Sequence, residues 1–141
     1  MPYIKTSDYK YINAAIEEAM NSEHPQWKVG AVVVRSGRVL GRGNNRYRNN
    51  PAIVEKNDVS YHAEEVAIRR AGSTQGATIY VARITRSGYV SIAKPCETCQ
   101  TLLEEAGIQT AVWTDDGGIA KARVNKLGQI ARTQGRLAKS S

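Results

Sequence analysis

The chain has 141 residues, 20 Lys or Arg against 13 Asp or Glu, a formal charge of +7 and two cysteines. That length is one domain's worth and ample for a hydrophobic core without disulfide staples, and Cys96 and Cys99 are too close in sequence for a disulfide between them to remove much chain entropy. No basic segment followed by a long apolar run opens the sequence, and the longest apolar stretch, Val29 to Val34, is far too short to cross a bilayer, so a soluble, cytoplasmic protein with reduced thiols is expected.

In chain order, Ser7 is expected to cap a helix whose apolar residues Tyr9, Ile12, Ile16, Ala19 and Met20 recur at spacings of three and four, ending before Pro25. Lys28 to Val34 reads as a fully buried strand, and Ser36-Gly37 as a two-residue turn that returns the chain through Val39 to Gly43. Asn44 to Val59, rich in Asn and containing Pro51, is a long polar loop of the kind that carries function or is disordered. A second helix follows, with Ser60 as N-cap, Ala63, Val66, Ala67 and Ala71 inward, and Gly72 as its stop. GATIYVARI, residues 76–84, is apolar and β-branched and reads as a strand, which YVSIA continues or pairs with after a turn at Ser87-Gly88. Pro95 suits the first turn of a third helix that carries Cys99, Leu102, Leu103 and Ala106 on one face and stops at Gly107. IQTAVWT, residues 108–114, is a strand, and DDGG leads by a hairpin into a last one, IAKARV.

The excess charge collects at the end of the chain. Residues 117–141 hold Lys121, Arg123, Lys126, Arg132, Arg136 and Lys139 and no acid, so a basic tail is expected from about residue 119, either solvated or in contact with phosphates. Two antiparallel strands followed by helix, strand, helix and strand give an α/β fold, a three-layer α/β/α sandwich on a mixed sheet of five strands. The junctions at Ser60 and Pro95 then lie side by side at one end of the sheet, where such folds bind ligands.

Those junctions hold His62, in YHAEE, and Cys96 and Cys99, in KPCETC. A Cys-x-x-Cys pair serves as a redox dithiol, as half of a structural zinc knuckle, or as part of an open metal site. The redox reading wants the pair near an early βαβ unit, and a knuckle wants a fourth protein ligand, for which His24 is the single spare histidine and has no supporting context. Cys96 and Cys99 share a helical face, and a helix N-terminus favours their thiolates. With His62 they make three ligands for Zn²⁺, at about 2.3 Å to sulfur and about 2.0 Å to nitrogen, and leave a position for water. Glu64 then supplies a general base and acid beside the metal, while Glu65 fits the ordinary role of a first-turn carboxylate. His-x-Glu followed by Pro-Cys-x-x-Cys is the signature of zinc deaminases.

On the stretches HAEEVAIRRAG and PCETCQTLLEEAGIQTAVWT the chain resembles the cytidine and deoxycytidylate deaminase superfamily, which includes tRNA adenosine deaminases and nucleic-acid-editing cytosine deaminases. The resemblance runs from about Lys28 to Thr114. It implies that His62, Cys96 and Cys99 bind zinc, that Glu64 shuttles the proton, that Asn45 at the end of the first hairpin contacts the substrate sugar, and that the peptide groups of Ala63 and Glu64 meet the edge of the base. It also implies a homo-oligomer. Two features depart from the deoxycytidylate and tRNA branches: ITRSGYVSIAK intervenes before Pro-Cys, and DDGG replaces a helix between the last strands, as in small nucleoside deaminases, which have Cys where His62 stands.

The expected reaction is hydrolytic deamination of a cytosine nucleoside or nucleotide. Low aromatic content and the lack of an evident stacking platform favour a free metabolite. The basic tail favours the alternative, a deaminase acting on cytosine or adenine in single-stranded DNA or tRNA. A non-catalytic zinc module is the third reading, against which Glu64 speaks. Arg46, Tyr47 and Arg48 are loop candidates for sugar or phosphate contact.

Overall fold

The computed structural model describes residues 3–23, 27–47, 60–115, 117–127 and 130–132. Helix α1 (Thr6–Met20) is followed by strands β1 (Trp27–Arg35), β2 (Arg38–Asn44), β3 (Arg46–Tyr47) and β4 (Ser60–Tyr61). Helix α2 (Ala63–Ala71) leads to β5 (Thr78–Thr85) and β6 (Val90–Ser91), and helix α3 (Glu97–Glu105) to β7 (Thr110–Thr114) and β8 (Ile119–Arg123). A 3₁₀ turn (Val124–Lys126) and β9 (Ala131–Arg132) follow. No described helix is long and apolar enough to cross a membrane.

The main sheet runs β2-β1-β5-β7-β8-β9. Only β5 and β7 are parallel, joined by the α3 crossover, and the other pairs are antiparallel. The expected five strands form its body, and the two-residue strands β6 and β9 extend it to seven. Strand alternation divides the core in two. Ala31, Val33, Ile79, Val81, Ala111 and Trp113 meet Ala63 and Ala67 of α2 and Leu103 of α3 on one face. Val32, Val34, Tyr80, Ala82 and Val112 meet Tyr11, Ile12 and Ala15 of α1 on the other. The result is the expected three-layer α/β/α sandwich.

Two expectations for α1 fail for local reasons. Its N-cap is Lys5 rather than Ser7, because the Asp8 carboxylate turns back to accept from the Lys5 backbone N–H at 2.8 Å. Its inward face is Asp8, Tyr11, Ile12, Ala15 and Ala19, leaving Met20 62% exposed. Asp8 is drawn in by partners distant in sequence: it accepts from the Tyr80 hydroxyl and from Lys121 Nζ, each at 2.9 Å. Burial, and then the charge of Asp8, push the Tyr80 phenol well above its ordinary pKa. The basic tail is corrected in the same way. Residues 119–123 are strand β8, with Lys121 inside the protein, and Arg132 pairs with Asp115 at 2.9 Å. Arg136 and Lys139 lie outside the described residues.

Close backbone approach fixes α2 over the sheet. A Cβ on Gly41 would collide with the backbone of Ala67 and Ala71, and one on Gly43 with Val66 and the backbone of Ala67. Gly41→Ala should therefore lower stability by about 1–3 kcal/mol, the usual cost of overpacking. Denaturant unfolding of the purified variant checks this, and an unchanged midpoint would contradict the packing described.

Candidate metal centre and active site

Helices α2 and α3 both begin on a candidate ligand. His62 and Cys96 are the N-cap residues, each with extended backbone, while Cys99 lies in the first turn of α3. Ser60, the expected cap of α2, is instead paired in β4 with Tyr47 of β3, two residues before His62. Pro95 precedes the N-cap of α3 rather than entering its first turn.

Among the described residues, His62, Cys96 and Cys99 bring one ligand atom each to within 4.8 Å of one another. Cys99 Sγ lies 3.5 Å from His62 Nδ1. Tetrahedral bonds of the usual zinc lengths put such atoms about 3.5–3.8 Å apart, so the donor set fits this ion in size and in chemistry. His62 and Cys96 are exposed, whereas Cys99 is fully buried, so the group has an inner wall and an open side.

Helical rotation separates the two neighbouring carboxylates. Glu64 points inward and is 5% exposed. Glu65 points out and pairs with Arg69 at 3.1 Å. Burial holds the Glu64 carboxyl above its ordinary pKa, opposed by a hydrogen bond from its own backbone N–H, by His62 and by a hydrogen bond with Cys99. Burial raises the Cys99 thiol as well, reinforced by the charge of Glu64 and by Cys96. The charge of a bound dication would oppose this bias at both groups.

Ala63, the first residue of α2, is buried, and its N–H has no acceptor within the helix. Asn45 is also buried, and it is engaged far more fully than its place in a polar loop suggests. Its Oδ1 accepts from Ser22 Oγ at 2.6 Å and from the Val29 N–H at 2.8 Å, and its Nδ2 donates to the Trp27 carbonyl at 2.7 Å. Among the described residues the second N–H of this amide has no acceptor. Arg48 and His24 lie outside the described residues.

The intervening segment before Pro-Cys is what delivers Cys96. β6 pairs with the end of β5, Arg83 opposite Ser91. Thr114, wholly buried at the end of β7, locks this arrangement: its Oγ1 donates to the Ser91 carbonyl at 2.6 Å and accepts from the Arg83 N–H at 3.2 Å. Its carbonyl accepts from the Ala93 N–H at 2.9 Å. Sequence periodicity carries no sign of this role, since Thr114 reads as the last residue of an ordinary strand. Thr114→Val should cost about 1–3 kcal/mol by leaving buried partners unmade, and should speed loss of zinc to a chelator. Thr114→Ser should restore both properties. If the Val variant unfolds earlier yet retains zinc as wild type does, Thr114 supports the sheet alone.

Residues 5–115 match the family described as the cytidine and deoxycytidylate deaminase zinc-binding region. A tRNA-specific adenosine deaminase of Streptococcus pyogenes serotype M18 is 27% identical over 114 residues, covering 80% of this chain and 65% of that protein. One from Agrobacterium fabrum is 32% identical over 96 residues, covering 68% and 57%. The chain spans about three fifths of the length of these bacterial tRNA-specific adenosine deaminases. Among solved structures, the dCMP deaminase of cyanophage S-TIM5 superimposes with a TM-score of 0.59 at 21% identity, over 79% of this chain and 86% of that one. The zinc-binding match and the His-Cys-Cys group together identify Zn²⁺ as the cofactor.

Proposed function

The chain belongs to the cytidine and deoxycytidylate deaminase zinc-binding family, and we propose that it is a hydrolytic deaminase, exchanging the exocyclic amine of a cytosine-type base for oxygen and releasing ammonia. The observation that carries this reading is the inward Glu64 carboxyl beside Cys99, next to the group formed by His62, Cys96 and Cys99. Those three residues would hold the metal, His62 through the ring nitrogen that faces Cys99. When bound, Zn²⁺ supplies Lewis-acid activation of water at neutral pH.

Glu64 takes a proton from the attacking water and passes it to the ring nitrogen next to the reacting carbon. The second proton of that water passes to the amine, which departs as ammonia, and the oxygen stays on the carbon as the new carbonyl. The peptide N–H of Ala63 is available to the edge of the base, and the remaining N–H of Asn45 to the sugar.

A cytosine nucleoside or nucleotide is the first substrate of this reading. The antiparallel β7–β8 hairpin favours the nucleoside of the two, since the resemblance gives the deoxycytidylate and tRNA branches a helix at that point. A base within a nucleic acid is the second, favoured by the curated relatives, which are named for tRNA-specific adenosine deamination. Ammonia release from cytosine, adenine and guanine compounds, free and in oligonucleotides, tests both. Release from a cytosine compound is expected, and release from none of the panel would overturn the proposal.

A further inference from the structure

Strand register places three side chains in one row at the end of the sheet where α2 and α3 begin. On β1, Val29, Ala31 and Val33 face these helices, so Trp27 faces the same way by alternation. Trp27 lies opposite Thr85, and Val29 opposite Arg83. The Thr85 N–H donates to the Tyr89 carbonyl at 2.8 Å, continuing the β5–β6 register and putting Tyr89 on the same face. Trp27 and Tyr89 are thus two strand spacings apart, about 10 Å, with Thr85 between them.

This row is open and basic. Trp27 is 44% exposed and Tyr89 73% exposed. The Arg83 guanidinium lies 4.2 Å from the centroid of the Trp27 ring, and its buried Nε has no hydrogen-bond partner among the described residues. Residues 79–96, which include the end of β5, β6 and the approach to Cys96, contain Arg83, Arg86 and Lys94 and no acid. The row is bounded by parts of the site: Asn45 donates to the Trp27 carbonyl, and Ser91, opposite Arg83, begins the segment that ends at Cys96.

We propose that Trp27, Arg83 and Tyr89 form a stacking shelf for the nucleotide next to the reacting one in a single-stranded nucleic acid. The proposal rests on the deaminase reading and takes up the second of its substrates, a base within a nucleic acid. The physical case is that aromatic rings and a guanidinium plane stack bases of any sequence, while unneutralised cations attract phosphates. A free nucleoside has no second ring to place on the shelf. Arg86 and Lys94, exposed on either side of β6, are the cations nearest in sequence for the flanking phosphates.

The test is fluorescence anisotropy of labelled single-stranded oligonucleotides with zinc-loaded protein, alongside ammonia release. Trp27→Ala and Tyr89→Ala should each weaken binding about tenfold, and Trp27→Phe should retain most of it. Arg86→Gln with Lys94→Gln should flatten the salt dependence by about 0.7 in slope for each phosphate that is no longer neutralised. Oligonucleotide affinity unchanged by both aromatic substitutions, or no tighter than that of a mononucleotide, overturns the shelf. So does a change in the sedimentation of the protein alone on Trp27→Ala, which would make the row a contact between copies. Binding through Trp27 and Tyr89 without ammonia release keeps the shelf and overturns the reaction, whereas deamination of free nucleotides without strand binding does the reverse.

Discussion

Glu64→Ala is expected to abolish nearly all turnover while leaving the fold and the bound zinc in place. General acid-base catalysis contributes typically about 10²- to 10⁴-fold, and a single carboxyl here serves both water and ring nitrogen. Glu65→Ala is the control, because its exposed pair with Arg69 is worth only about 0.3–0.5 kcal/mol. Equal losses in the two variants would mean that the wrong carboxylate has been assigned. Stability supplies a second readout. Burial raises the folded-state pKa of Glu64 above its ordinary 4.5, so in metal-free protein its favourable contribution is complete below that value and is lost as pH rises through the folded pKa. Glu64→Gln should therefore stabilise the metal-free protein at neutral pH and do so less below pH 4.5.

Replacing His62, Cys96 or Cys99 by Ala is expected to remove zinc and activity together. Two ligands are too few for the tetrahedral site the ion prefers, and the Cys99 variant also opens a buried position between α2 and α3. Zinc affinity should fall as pH falls. The Cys99 thiol, held high by burial and by Glu64, must release its proton for the metal to bind. Competition with a chelator should thus favour the protein more at pH 8 than at pH 6. Metal analysis of each variant checks the assignment, and a folded, active wild-type protein without zinc would contradict it.

The layers of the fold and the His-Cys-Cys group are legible in the sequence because both rest on short-range patterns. The apolar, β-branched runs at Lys28–Val34 and 76–84, and the positions of His62, Cys96 and Cys99 at the starts of helices, need no knowledge of distant contacts. What is not legible depends on partners far along the chain. The inward turn of α1 is set by Asp8 meeting Tyr80 and Lys121, and nothing near Asp8 in sequence announces them. Lys121 reads as part of a tail for the same reason, since its charge is visible in composition and its partner is not. The shelf escapes a reading of composition because aromatic content is low overall. Trp27 and Tyr89 are 62 residues apart in sequence and become neighbours only through the β1–β5–β6 register.

The most direct measurement of the central claim follows the zinc-loaded protein with a cytosine nucleotide in water enriched in oxygen-18, reading ammonia release and product mass in the same samples. Wild-type protein should release one ammonia for each product molecule and place the heavy oxygen where the amine was, and Glu64→Gln should do neither. Zinc-loaded, folded protein that releases no ammonia from this or any other cytosine or adenine substrate, free or in a strand, would contradict the deaminase reading.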